Sequence, residues 1–195
     1  MSFIFSPLLV TTYGVALALW FSTLVYVPLV VKLQVLGVVF LINAVLPGTA
    51  IFAMKKMGMV GDFGLNSRAD RPVPYSIVCI CYLATAYIFS SWHMPEWMVL
   101  FMVGGAAAVV VSMIVNMWWK ISAHLAGMGG AIGMMLRIYA ENAESGYDTF
   151  WALMTVTIMA GLVASARVYL GRHTVGQVIA GALNGALCVY IISGF

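Results

Sequence analysis

Residues 97–119 read WMVLFMVGGAAAVVVSMIVNMWW and contain no charged side chain. The hydrocarbon core of a bilayer is about 30 Å thick, and about 20 apolar residues cross it as a helix. A lipid-exposed segment must satisfy its own backbone hydrogen bonds, which a helix does within the segment. This stretch therefore predicts a membrane-spanning helix.

Similar apolar runs occupy most of the remaining sequence. Of the 195 residues, 64% are hydrophobic and 8% are charged, whereas an average soluble domain has about 25% charged residues. Prolines, charged residues and short polar loops separate the runs, and no linker divides the chain into domains. We therefore expect one integral membrane domain over residues 1–195, an all-α bundle of about seven transmembrane spans. They are 7–27, 33–54, 75–92, 97–119, 122–140, 149–170 and 174–192.

Four glycines in the fifth and seventh of these spans favour close contacts between helices. Small residues at a helix interface in a membrane let two backbones approach each other. We interpret Gly127, Gly130, Gly181 and Gly185 as packing residues of this kind.

Three polar junctions should emerge at the same face of the membrane. The first is the loop at 55–74, the second is at Lys120, and the third is at 171–173. Two spans separate each junction from the next, and an even number of spans returns the chain to the same side. The cationic and histidine side chains near these junctions should therefore meet: Arg68, Arg71, Lys120, His124, Arg167, Arg172 and His173.

Such a cluster of cations with two histidines favours an anion, and phosphate is the obvious candidate. Arginine forks match phosphate oxygens bidentately. A neutral histidine can act as a nucleophile, and a protonated one can give its proton to a leaving oxygen. The alternative is that the cations only reach lipid headgroups. That alternative accounts for Lys55 and Lys56 but poorly for two histidines in one cluster.

Three stretches near the junctions carry these residues: NSRADRP at 66–72, ISAH at 121–124 and SARVYLGRHTVGQ at 165–177. Together they resemble the three motifs of the type 2 phosphatidic acid phosphatase family of membrane lipid phosphatases. The order of the motifs agrees, and so does the Arg-to-His spacing in the third. The resemblance covers residues 66–177, the motif-bearing part of the chain.

The resemblance implies a membrane phosphatase that uses no metal and no other cofactor. It would hydrolyse a lipid-linked phosphate or diphosphate through a phosphohistidine. His173 would be the nucleophile, and His124 would protonate the leaving alcohol. The remaining carried-over residues would bind the phosphate: Arg71, Arg167, Arg68, Lys120, Ser122 and the backbone N–H of Ala123.

Two positions depart from the family pattern in ways that affect the chemistry. The family lysine of the first motif falls on Gly64, so Arg68 would have to substitute for it. The family aspartate after the nucleophile is Gln177, one helical turn beyond His173. The Gln177 amide oxygen can accept the Nδ1–H of His173 and fix its tautomer. It supplies no negative charge for an imidazolium, so we expect lower activity.

Two other functions remain open on the sequence. A catalytically silent relative that binds lipid phosphates is one, because of Gln177. A transporter or assembly scaffold is the other, although transporters more often break helices in mid-membrane around their substrate.

The expected partners are membrane lipids and a lipid phosphate substrate, and the net charge of +3 is too small to indicate nucleic acid. Polyprenyl diphosphates, phosphatidylglycerophosphate, phosphatidic acid and lipid A phosphates all qualify. The positive-inside rule taken literally makes the site side cytoplasmic, but its excess of cations consists of candidate site residues. The resemblance instead favours the bacterial inner membrane, with the site at the periplasmic face.

Overall fold

The computed structural model describes residues 6–65, 67–142 and 149–194. Within these residues the chain forms seven helices and no strand, which confirms the all-α fold class. Asn66 of the first motif and residues 143–148 of the acidic loop lie outside the described residues. The helices are α1 Pro7–Phe21, α2 Leu29–Lys56, α3 Pro72–Ser91, α4 Glu96–Asn116, α5 Ala123–Asn142, α6 Phe150–Tyr169 and α7 Val175–Ser193.

Among the described residues, α2, α3, α4, α6 and α7 are long and apolar enough to cross a membrane. The first predicted span is too long, because α1 ends at Phe21. There the Ser22 side chain donates to the Ala18 carbonyl and accepts from Leu24 N–H, which starts a short 3-10 turn. Helix α1 is therefore a shorter apolar helix of 15 residues.

The second predicted span begins too late, because α2 starts at Leu29 and includes Lys32. The Lys32 ammonium is tolerated there because its Nζ donates to the Val25 carbonyl at 2.8 Å. A π-helical turn, Leu41–Val45, lies in the middle of α2. It holds the buried Asn43, whose amide donates to Thr85 of α3 at 2.7 Å.

Helix α5 is the most enclosed of the seven, which explains why it needs less apolar character than a lipid-facing span. It packs on α1, α6 and α7, and half of its 20 residues are buried. Its contact with α7 is made by backbone. A methyl group on Gly185 would overlap the Ala126 carbonyl, and one on Gly129 would overlap Ala182.

The predicted close packing is confirmed at Gly130, Gly181 and Gly185, because a methyl group on Gly185 would also lie 2.7 Å from the backbone N of Gly130. Gly127 faces Val10 and has room for a methyl group at ordinary contact distance. At the start of the two helices, Ser122 N–H donates to the Gln177 carbonyl at 3.2 Å. The contact between α5 and α7 therefore brings the second and third motifs side by side.

Candidate functional site

A cavity of about 580 Å³ lies where α2 ends and where α3, α5 and α7 begin. Four side chains that the sequence predicted to meet line it: Arg71, His124, Arg167 and His173. The structure therefore brings together four of the seven cationic and histidine side chains that we expected to meet. No acidic side chain is among the described residues that line the cavity. The end of the cavity that holds Arg71 and Arg167 is therefore positively charged and suited to an anion.

Arg71 ends the first junction immediately before α3, where Pro72 sets the first helical turn. The side chain is buried, its Nε donating to the Leu65 carbonyl at 3.0 Å and its Nη1 to the Ile121 carbonyl at 2.8 Å. These bonds use two of the five N–H donors of the guanidinium. Arg71 thus joins the first and second motifs and still has donors for a ligand.

Arg167 lies in the last turn of α6 and is also buried. Its Nε has no hydrogen-bond partner among the described residues. A buried donor left unpaired costs about 1–3 kcal/mol, and more when it is charged. An anion in the cavity would give this guanidinium the partner that the protein does not supply.

His173 stands between α6 and α7, after a turn in which Gly171 adopts a φ of +63°. Its Nδ1 lies 3.1 Å from Gln177 Oε1, and the same oxygen lies 3.2 Å from the backbone N of Thr174. The Thr174 N–H can only donate, so the Gln177 atom that it meets must be the oxygen. His173 Nδ1 must then carry the hydrogen, which leaves the lone pair on Nε2.

The surroundings of His173 keep its ring neutral. Burial lowers its pKa to about 4, and the cations Arg71, Lys120 and Arg167 act in the same direction. The hydrogen bond to Gln177 opposes the shift and raises the pKa. At neutral pH the free Nε2 of His173 is therefore available as a nucleophile.

His124 and Ala123 both line the cavity at the start of α5. The first amides of a helix have no partner within it and favour an anion. Ser122 is placed differently from our expectation. It is fully buried and does not line the cavity, its N–H donates to the Gln177 carbonyl, and its hydroxyl has no partner in the described part of the chain. The reason is the close contact between its own carbonyl and Gly181 of α7.

Lys120 and Arg68 lie outside the cavity lining. Lys120 Nζ donates to the Arg172 carbonyl at 3.1 Å. Burial lowers the pKa of Lys120, as do the charges of Arg71, Arg167 and Arg172. The Arg68 side chain is exposed, and its carbonyl accepts from Asn116 at 3.0 Å. Arg68 therefore does not line the cavity with Arg71.

The sequence analysis missed the apolar extension of the cavity. From Arg71 the lining continues along α3 to Tyr82, a rise of about 16 Å at 1.5 Å per residue. It also missed Tyr75, which lines the cavity one turn after Arg71. That four-residue spacing was the available signal. The other apolar lining residues come mainly from α1, α4 and α5, and they include Val10, Phe101, Met102, Ala108 and Ala131.

The family model described as PAP2 superfamily matches residues 118–195, which include His124, Arg167 and His173. The match supports a relationship to the type 2 phosphatidic acid phosphatase family and a phosphatase-type fold. Arg71 and Gly64 lie before the matched residues. Comparisons with curated proteins and with solved structures gave no match.

Proposed function

From its relationship to the type 2 phosphatidic acid phosphatases over the last three helices, we propose that this chain is a membrane phosphatase that hydrolyses a lipid-linked phosphate or diphosphate. One observation carries the proposal. The cavity that holds Arg71, Arg167 and the two histidines continues between apolar side chains into the helix bundle. A water-soluble phosphate ester would need only the charged end, whereas a lipid phosphate would use both parts.

In the proposed complex, the phosphate lies between Arg71 and Arg167. The unpaired Nε of Arg167 and the free donors of Arg71 bind its oxygens, together with the N–H of Ala123. Lys120 and Arg172 lie near this cluster and add to the field that attracts the anion. Such preorganised donors also stabilise the charge that develops during phosphoryl transfer.

In the first chemical step, Nε2 of His173 attacks phosphorus. The P–N bond forms while the bond from phosphorus to the leaving oxygen of the lipid breaks. His124 gives its proton to that oxygen. Burial and the neighbouring cations disfavour the protonated form of His124, and the negative charge of the bound phosphate opposes both effects. Gln177 Oε1 holds the Nδ1–H while the imidazole becomes cationic.

In the second step, a water molecule attacks the phosphohistidine. His124, now neutral, takes a proton from the water, and the P–N bond breaks. The products are inorganic phosphate and the regenerated His173. In this scheme the arginines and histidines supply the nucleophile, the acid and the charge stabilisation, so no metal ion takes part.

The deciding experiment is a phosphate-release panel with the purified protein in detergent or lipid discs. The four lipid classes named above are compared with a water-soluble phosphate ester, each with and without EDTA. We expect release from at least one lipid phosphate, unaffected by EDTA. His173→Asn should reduce it by about 10³-fold or more. Activity that EDTA abolishes and a divalent ion restores would contradict the metal-free mechanism.

A lipid-phosphate-binding protein without activity is the second candidate, and the neutral amide at Gln177 favours it. It predicts that lipid phosphates bind and compete with inorganic phosphate, but that no phosphate is released from any member of the panel. The same purified preparation distinguishes the two functions.

We also propose that the site faces the periplasm in a bacterial inner membrane. Met57 is exposed in the turn that follows α2, at the same end as the site. A membrane-impermeant maleimide should label Met57→Cys in intact cells whose outer membrane has been made permeable. Labelling only after the inner membrane is disrupted would place the site in the cytoplasm.

A further inference from the structure

Tyr75 is a buried residue whose hydroxyl hydrogen is left without an acceptor among the described residues at the charged end of the cavity. The side chain is 8% exposed and lines the cavity. Its Oη has no partner of good hydrogen-bond geometry among the described residues, although the Arg71 guanidinium lies close enough to interact with that oxygen. Buried polar groups are nearly always hydrogen-bonded, so an unpaired one in a native structure needs an explanation.

Its position places Tyr75 beside the phosphate-binding residues. It follows Arg71 by four residues, so both lie on the same face of the first turn of α3. Arg71 is held by the carbonyls of Leu65 and Ile121, so its position is set by backbone. The unpaired Nε of Arg167 belongs to the same cavity. Two donors from different helices, the Tyr75 hydroxyl hydrogen and Arg167 Nε–H, thus lack an acceptor among the described residues around one cavity.

A second tyrosine of α3 shows that the fold can satisfy such a hydroxyl. Tyr82 also lines the cavity, about two turns deeper. Its Oη lies 2.6 Å from Thr11 Oγ1 of α1. The deeper tyrosine is therefore a packing residue with a completed hydrogen bond. The one beside Arg71 keeps its hydroxyl hydrogen available, because the guanidinium of Arg71 can donate to its oxygen but cannot accept from it.

We propose that the Tyr75 hydroxyl donates a hydrogen bond to a phosphate oxygen of the bound substrate. It would act with Arg71 and Arg167 as a third side-chain donor to the phosphate. This inference rests on one part of the proposed function, namely that the ligand carries a phosphate group. It adds a substrate-binding residue that none of the three motifs contains.

The test compares Tyr75→Phe with Tyr82→Phe, which loses the same atom from a neighbouring position. Thermal unfolding is followed with increasing inorganic phosphate, and lipid phosphate turnover is measured in parallel. Tyr75→Phe removes a buried hydroxyl whose hydrogen has no acceptor among the described residues, so its melting temperature without phosphate should equal or exceed that of the wild type. Its apparent Kd for phosphate should rise about tenfold, with a similar fall in kcat/KM.

Tyr82→Phe should show the opposite pattern. It loses a completed hydrogen bond, so its melting temperature without phosphate should fall below that of the wild type. Its apparent Kd for phosphate should stay at least five times tighter than that of Tyr75→Phe.

Three results would overturn the inference: no stabilisation of the wild type by phosphate, equal stabilisation of the wild type and Tyr75→Phe, or a lower melting temperature of Tyr75→Phe without phosphate. The last would show that the hydroxyl has a structural role. If phosphate stabilises the wild type through Tyr75 but no lipid phosphate is hydrolysed, the inference stands and the proposed hydrolase function fails. If hydrolysis proceeds equally in both proteins, only the inference fails.

Discussion

The last three helices and the first three pack together by different kinds of contact. Helices α5 and α7 meet through backbone at Gly129 and Gly185, which places the two histidine-bearing motifs side by side. Helices α1, α2 and α3 are joined by side-chain hydrogen bonds, such as Thr11 to Tyr82 and Asn43 to Thr85. Where two backbones touch, a larger residue has no room. A hydrogen bond between two side chains can be replaced by another pair of side chains.

This difference agrees with the extent of the family match. The match covers residues 118–195, which hold the backbone-packed helices and the two histidines. The first motif lies outside it, with Gly64 at the position of the family lysine and Arg71 held by two carbonyls. We infer that backbone packing between α5 and α7 positions His173, whereas Arg71 is positioned by the carbonyls of Leu65 and Ile121.

The largest expected effect follows from the backbone contact. Gly185→Ala would force its methyl group into the Ala126 carbonyl, whereas a methyl group at Gly161 of α6 meets nothing within 4 Å. We expect Gly185→Ala to lower the free energy of unfolding by about 3 kcal/mol, or about 10 °C in melting temperature. Gly161→Ala should be neutral or slightly stabilising. Equal melting temperatures for the two variants would mean that the helices can separate without cost.

The four residues that line the charged end could be predicted from the sequence, because the chain has few cationic and histidine residues near its junctions. An even number of spans between junctions and the order of the motifs together placed Arg71, His124, Arg167 and His173 at one end. Helical spacing also placed Gln177 against the His173 ring. These arguments depend on counting and on periodicity, which a sequence contains.

The misplaced residues depend on contacts that periodicity does not determine. Arg68 lies in a loop, where spacing does not decide which way a side chain points. Ser122 turns away from the cavity because Gly181 lets α7 approach its carbonyl. Gly129 and Gly133 of α5 also pack closely against the backbone of α7. The sequence did not single them out, because the four glycines of α5 cannot be told apart by spacing alone.

The second prediction concerns Arg71, which lies before the residues that the family model matches. Arg71→Lys keeps the charge but loses the planar fork that binds the Leu65 and Ile121 carbonyls and the phosphate together. We expect kcat/KM to fall about 100-fold, a loss of about 2.7 kcal/mol in transition-state binding. Arg68→Gln, in the same loop but outside the cavity, should reduce it less than threefold. A larger loss at Arg68 would show that Arg68 does replace the family lysine.

The third prediction concerns the support of the nucleophile. Gln177→Leu removes the acceptor of the His173 Nδ1–H, and turnover should fall about tenfold, as expected when one hydrogen bond of about 1.4 kcal/mol is lost. Gln177→Asp should keep or raise turnover, because a charge-assisted hydrogen bond is about twice as strong as a neutral one.

Gln177 also caps α7, so the capping role needs its own control. Thr174→Ala removes the hydroxyl that accepts from Gln177 N–H but leaves the contact with His173. It should lower the melting temperature about as much as Gln177→Leu does, with turnover above half of the wild-type value. Equal turnover of the wild type and Gln177→Leu would remove the structural support for His173 as the attacking residue.

The smallest expected effect is a displacement of the acid limb of the pH profile. In the proposed mechanism His173 attacks in its neutral form, and burial with the nearby cations lowers its pKa to about 4 in the unliganded protein. Protonation of His173 should therefore lower the kcat/KM of the wild type only below about pH 4. Gln177→Glu places a carboxylate beside Nδ1, which favours the imidazolium and should raise that pKa by about one unit or more. Because the protonated ring cannot attack, the raised pKa moves the acid limb toward neutral pH.

The ratio of kcat/KM for Gln177→Glu to that of the wild type, measured on one substrate, cancels the titration of the phosphate itself. This ratio should be constant near pH 7.5 and fall between about pH 6 and pH 4. Lys120→Gln removes one of the cations and should change the ratio in the same direction by a smaller amount. A ratio that stays flat from pH 7.5 to pH 4 for both variants would mean that the group governing the acid limb is not His173.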